Sequence, residues 1–277
     1  MVGVGVGTRR AATMTLRTAL LLACAATFGA VVTGCASNAD EYRRAEGSRQ
    51  VARPAPLDAP RAHLTRKCVR LGLAGATAYA AVVRHPVLVY QNAARPRVVG
   101  RFPRVDQNGY PVVFGVIGAR SDQRCQARWL HVQLPTVPNG GTGWVRASDV
   151  RIYVARSRIL VDLARRQLRA YRDGHLVLQA KVTIGAPQTP TPVGHFYVNE
   201  RFVLESDSGP FGPVALGISA HSEVLRNWVQ GGPIALHGTD QPQLLGRAAS
   251  HGCIRLANAD IERLFPLASA GTPVIIR

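Results

Sequence analysis

The stretch His237-Gly238-Thr239, followed by Ser250-His251-Gly252-Cys253-Ile254-Arg255-Leu256, decides how this chain is read. Cys253 is the only cysteine beyond Cys125. A thiol is mostly protonated at neutral pH, so a nucleophilic cysteine needs a neighbour that takes its proton or holds its anion. Two histidines are at hand. His251 stands two residues before Cys253, and in extended chain those side chains point the same way. His237 stands sixteen residues earlier, at the end of the apolar run Pro233-Ile234-Ala235-Leu236. A strand ending there presents its last side chain across a loop to Cys253. Gly252 permits a close approach of substrate, and the N–H groups of Gly252 and Cys253 are natural donors to an oxyanion. The residues alone leave two readings open: a nucleophile with its base, or a buried structural cysteine beside a core histidine.

Working outward, the surrounding pattern is β-rich. Ile159, Val161 and Leu163 share one strand face. Asp173-Gly174 marks a hairpin between Leu168-Arg169-Ala170-Tyr171 and Leu176-Val177-Leu178. Near the end, Asn258 reads as a helix N-cap, with Ile261, Leu264 and Phe265 on one apolar face. Gly271-Thr272-Pro273 stops that helix before a last strand, Val274-Ile275-Ile276. Upstream, Pro111 to Ile117 and Trp129 to Leu134 carry strong strand formers, and Pro138-Asn139-Gly140-Gly141 is a turn cluster.

The N-terminus reads as an address. Arg9, Arg10 and Arg17 precede an apolar stretch from Ala19 to Val32, too short for a comfortable membrane span, which is the pattern of an export signal. Val32-Thr33-Gly34-Cys35 resembles a bacterial lipobox, which implies cleavage before Cys35 and attachment of a lipid there. Residues 35–66, with Pro54, Pro56 and Pro60 among many charges, are expected to be a flexible linker. Export places the chain where disulfides persist, so Cys68 and Cys125 are the disulfide candidates.

Composition narrows the function classes. The 277 residues are 47% hydrophobic and 18% charged, with a net charge of +18. The arginines are scattered, without a dense run or interleaved aromatics, so no nucleic-acid partner is expected. No CxxC pair is present, and His175, His195 and His221 lack metal-ligand spacing, so no metal and no cofactor are expected. A basic surface also suits an acidic cell envelope.

Two resemblances sharpen this reading. The string Leu-His-Gly-Thr (236–239) with Ser-His-Gly-Cys-Ile-Arg-Leu (250–256) resembles the signature of the L,D-transpeptidase (YkuD-type) catalytic domain. Upstream Ile184-Gly185 and Thr189-Pro190-Thr191-Pro192-Val193-Gly194 resemble strings of the same family. That resemblance implies a β-sandwich catalytic domain over 157–277, with Cys253 as acyl-accepting nucleophile and His237 as base and then acid. It implies that the Gly238 carbonyl orients the His237 ring and that His251 and Gly252 shape the site. Thr239, Ser250 and Arg255 become substrate-binding candidates, Arg255 either through a substrate carboxylate or as a loop brace. Asn227 and Trp228 are candidates for lining the pocket. The second resemblance, Trp129 to Leu134 with Pro138-Asn139-Gly140 and Gly143 to Val150, is to bacterial SH3-like domains and implies a small β-barrel over 67–150. The expected whole is mainly β: signal 1–34, linker 35–66, SH3-like barrel, then a catalytic domain with one or two helices. The implied partners are peptidoglycan stem peptides and, through the lipid anchor, the outer face of a bacterial membrane. The family also implies acylation by carbapenem-type β-lactams.

Overall fold

The computed structural model describes residues 52–61, 77–225, 227 and 229–277. The signal segment, Cys35, Cys68 and Trp228 lie outside the described residues. The architecture is mainly β, with one α-helix among the described residues. In chain order the strands are β1 (Ala52–Pro54), β2 (Ala78–Val83), β3 (Val87–Tyr90), β4 (Val98–Phe102), β5 (Val113–Ser121), β6 (Ala127–Gln133), β7 (Thr142–Arg146) and β8 (Val150–Ala155). Then come β9 (Ser157–Asp162), β10 (Gln167–Arg172), β11 (His175–Lys181), β12 (Ile184–Gly185), β13 (Gly194–Leu204), β14 (Val214–His221), β15 (Pro233–His237), β16 (Ala248–Ser250) and β17 (Ile254–Arg255). Helix α1 (Asn258–Leu264) and β18 (Pro273–Ile276) close the chain.

Strands β2 to β8 form a seven-stranded antiparallel sheet in the order β4-β3-β7-β6-β5-β2-β8. The last of these runs past the expected boundary at residue 150, because Val150 to Ala155 pair with β2. The catalytic sheet has the order β11-β10-β9-β18-β13-β14-β15-β17. Its inner face, with Ile159, Leu168, Leu216, Ile218, Leu236 and Ile254, packs on Ile261 and Leu264 of α1. The hairpin at Asp173-Gly174 forms, with both residues at positive φ.

The two sheets meet through side chains rather than a tether. Tyr197 is fully buried, and its hydroxyl sits 3.1 Å from the carbonyls of both Val113 and Gln133. Gly115 makes room for that ring: a Cβ there would lie 2.6 Å from Tyr197 Cδ1. Gln133 in turn donates to the His195 carbonyl at 2.7 Å.

Residues 52–61 correct the expectation of a free linker through residue 66. β1 pairs antiparallel with β13, and Asp58 lies 2.7 Å from the buried guanidinium of Arg201. Arg201 also donates to the carbonyls of Pro56 and Phe265 and lies over the Phe265 ring. A segment poor in large apolar residues docks here because it completes a sheet edge and a buried cation, neither of which needs hydrophobic periodicity. Cys125 is disulfide-bonded; Cys68, its expected partner, lies outside the described residues.

Candidate active site

β15 and β17 run parallel, pairing Leu236 with Ile254 and His237 with Arg255. Leu236 and Ile254 are buried in the core. Side chains alternate along a strand, so Ala235, His237, Cys253 and Arg255 face the opposite side together. Strand spacing puts the Cα atoms of His237 and Cys253 about 8 Å apart on a diagonal. The Arg255 guanidinium acts electrostatically on both groups.

His237 is 2% exposed, with Nδ1 2.6 Å from the Gly238 carbonyl oxygen. A carbonyl only accepts, so Nδ1 carries the proton and Nε2 keeps a lone pair. Burial, and then the Arg255 guanidinium, hold the imidazole pKa down to about 3, against the pull of the Gly238 carbonyl. Burial likewise pushes the Cys253 thiol up, opposed by the Ala235 N–H and by Arg255. Both shifts favour a neutral thiol beside a neutral imidazole. The Phe211 ring packs against His237 at 4.9 Å and 69° and fixes its plane.

The loop carrying Cys253 is held by its own polar groups. Ser250 Oγ donates to the Cys253 carbonyl at 2.6 Å and accepts the Gly252 N–H at 3.1 Å. Gly252 sits at φ +117, and a Cβ would lie 2.8 Å from Ile234 Cδ1, so glycine is required there. Buried Thr189 and Thr191 donate to the carbonyls of Ser250 and Gly252 at 3.0 and 2.9 Å.

Three expectations are revised by these contacts. The Gly252 N–H, an expected oxyanion donor, is held by Ser250 Oγ in this structure. Ser250 and Thr239, taken as substrate-binding candidates, are both buried and turned to the scaffold; Thr239 Oγ1 accepts the Gln241 N–H at 3.0 Å. Asn258 is not the cap of α1, whose N-cap is Ala257. Its Oδ1 instead accepts the Thr239 N–H at 2.8 Å, and its Nδ2 donates to the Asp207 carbonyl at 2.9 Å. Asn258 thereby ties the loop after His237 to the loop before β14.

His251 is partly exposed beside Gly252, Arg255 is 8% exposed on the face of His237, and Asn227 is exposed. His175 and His195 are exposed and away from this face, while His221 ends β14. Among the described residues, no three His, Cys, Asp or Glu side chains gather to hold a metal ion. Thr189, Thr191 and Phe211 are supporting residues without an assigned role in the sequence reading, and Asn258 supports the site in place of the capping role expected of it. The alternation Thr-Pro-Thr-Pro at 189–192 is the one local signal among them.

Fold and site together set a thiol and an imidazole on one face of a β-sheet. Residues 156–276 match the family model of the L,D-transpeptidase catalytic domain, YkuD. A Bacillus licheniformis protein that carries the name L,D-transpeptidase YkuD is 34% identical over 119 residues, 43% of this chain and 64% of that protein. Its Bacillus subtilis namesake is 29% identical over 124 residues, 45% of this chain and 68% of its own length. A solved structure of a cysteine-to-serine mutant of Enterococcus faecium L,D-transpeptidase is 27% identical, with a TM-score of 0.34 over 44% of this chain and 49% of that one. The matched stretch thus spans about two thirds of the two Bacillus proteins and half of the enterococcal chain.

Proposed function

We propose that this chain is an L,D-transpeptidase of peptidoglycan that forms 3→3 cross-links. The observation that carries the reading is the pinned His237 ring, with Nδ1–H on the Gly238 carbonyl and Nε2 left as a base on the face of Cys253. Cys253 attacks the carbonyl of the third residue of a tetrapeptide stem while its proton passes to His237 Nε2. The tetrahedral intermediate collapses, the C–N bond to terminal D-Ala breaks, and His237 returns the proton to the leaving amine. The resulting thioester is resolved by the side-chain amine of the third residue of a neighbouring stem, which restores the thiol. The chemistry draws on these side chains alone.

The same reading places the enzyme in the cell envelope, held by a lipid on Cys35, with the N-terminal sheet, read as SH3-like, positioning the catalytic face on the wall. Cys253 is also the group a carbapenem-type β-lactam would acylate. The experiment is incubation of the purified protein and its Cys253→Ala variant with a disaccharide-tetrapeptide, the products read by mass spectrometry. D-Ala loss with a cross-linked dimer, absent in the variant, is the expected result. Tripeptide without dimer would make the enzyme a carboxypeptidase using the same thioester. Equal turnover by Cys253→Ala would overturn the site.

A further inference from the structure

A cleft of about 360 Å³ lies between the two sheets; its walls are largely apolar, Phe102, Val112 and Ile218 among them, and Asp106, Asn199, Glu200, His221 and Gln230 gather in it. Its relation to Cys253 follows from strand register. Glu200 pairs with Gly217 and Gly217 with Ala235. One step back from the Leu236–Ile254 pair, Ala235 faces Cys253 across the parallel ladder, and its N–H reaches the Cys253 side chain. Leu216 and Ile218 point into the core, so Gly217 faces outward with Ala235 and Cys253. Glu200 lies on that same side, since a Cβ on Gly217 would stand 3.0 Å from Glu200 Cβ and 3.1 Å from its Oε2. Between Glu200 and Cys253 the row therefore carries only a hydrogen and a methyl.

The cleft is rich in acceptors. Glu200 has no arginine or lysine ion-pair partner among the described residues; the Asn108 amide donates to it, at 3.3 Å to each oxygen, and its carboxyl is hydrogen-bonded to the Asp106 side chain. Burial and the hydrogen-bonded Asp106 side chain push its carboxyl up to about 8, so the empty cleft favours the protonated acid and a cation seated there draws the proton off and leaves the carboxylate. Asn199 Oδ1 and His221 Nδ1, both shielded from solvent, have no hydrogen-bond partner. Burial lowers the pKa of the His221 imidazole, which favours the neutral ring, the form that can accept. An amide oxygen and an imidazole nitrogen short of donors, beside the paired carboxyls of Glu200 and Asp106, suit a group with several N–H donors and a positive charge.

We propose that this cleft is a subsite for the side-chain ammonium of the residue whose carbonyl Cys253 attacks, with Glu200 as its carboxylate. The proposal rests on the transpeptidase reading above. A 3→3 link joins the carbonyl of one third residue to the side-chain amine of another, so the donor's third residue carries such an amine too. The Glu200 carboxylate sits over Gly217, two strand spacings or about 10 Å from Cys253. An extended diamino side chain carries its nitrogen about 7 Å from its own carbonyl carbon, and a hydrogen bond of about 3 Å closes the rest. Glu200 is then a specificity-determining residue, selecting the donor stem by its charge.

The test compares stems with lysine or norleucine at the third position, reading kcat/KM for D-Ala release by the wild type and by Glu200→Gln. The wild type is expected to favour the lysine stem by about tenfold or more, and Glu200→Gln to bring the ratio within about threefold of one. A structural role for Glu200 would lower both rates and leave the ratio standing. A wild-type ratio near one, or a ratio kept in Glu200→Gln, overturns the subsite while D-Ala release still upholds the transpeptidase. Release from neither stem by the wild type overturns both. Should the variant not fold, judged by its thermal transition, the wild-type ratio alone decides.

Discussion

On the outer face of the N-terminal sheet, His131 stacks on Trp144 at 4.7 Å and Tyr90 meets Trp129 edge-on at 5.3 Å. Arg120 and Arg146 lie over the two indoles. On the outer face of the catalytic sheet, the positions around His237 and Cys253 are Ala215, Gly217 and Ala235. Each face backs onto a dry layer, Leu130, Val132 and Val145 in one sheet and Leu216, Leu236 and Ile254 in the other. The strands are built alike, and the difference lies in what fills the second face. The N-terminal sheet covers its own surface with large side chains that satisfy one another. The sheet that carries Cys253 keeps small residues in the row beside the thiol, Gly217 and Ala235, and large ones, Phe211 and Arg255, beside His237.

The largest effect that would sharpen this contrast comes from His237→Gln. Loss of the base should slow acylation of Cys253 by about 10²–10⁴-fold, measured as the rate of thioester formation by mass spectrometry. An undiminished rate would mean that another group takes the thiol proton. The same substitution has a signature in stability. In the native protein His237 binds its proton only near pH 3, against an ordinary value of 6.5. Between those values the unfolded chain holds more protons, so stability is full above about pH 6.5 and falls, by up to a few kcal/mol, as pH drops toward 3. His237→Gln should flatten that part of the pH–stability curve, checked by urea unfolding at several pH values.

On the N-terminal face the expectation is reversed. Trp144→Ala removes a half-buried indole and its stacking with His131 and should cost about 2 kcal/mol of stability. A fall in melting temperature with unchanged turnover of a soluble stem per folded molecule is the expected outcome. A large loss of turnover would show that the aromatic face takes part in the reaction.

What the sequence made legible follows the same division. The strand ending at His237 is visible because Ile234 and Leu236 alternate with the functional residues, and the Cys253 loop because glycine and serine there have few other uses. Glu200 is invisible: an acid within a strand reads as solvent-facing, and its burial comes from Asp106 and Asn108 on the other sheet. Asn258 misleads because a helix cap and a loop tie call for the same side chain. The docking of residues 52–61 is hidden because it depends on backbone edges and on the pairing of Asp58 with Arg201, far away in sequence. Local patterns report which face a side chain takes. They do not report which neighbour covers it.

Tyr197→Phe asks whether the two faces belong to one cooperative structure. The Tyr197 hydroxyl is shared between the Val113 and Gln133 carbonyls, both on the N-terminal sheet, while its backbone belongs to β13 of the catalytic sheet. Removing it leaves those two buried acceptors without this donor but keeps the ring that fills the space over Gly115. The expected cost is about 1 kcal/mol, near the net worth of one hydrogen bond. In a Trp228→Phe background tryptophan fluorescence follows the N-terminal sheet through Trp129 and Trp144, and acylation competence follows the other sheet. In wild type and variant alike the two signals should be lost together on heating, because the ring and the Gln133–His195 bond still join the sheets. Separation of the two transitions in Tyr197→Phe would make that hydroxyl the main coupling between the sheets. The filled face would then be a module that the catalytic sheet merely carries.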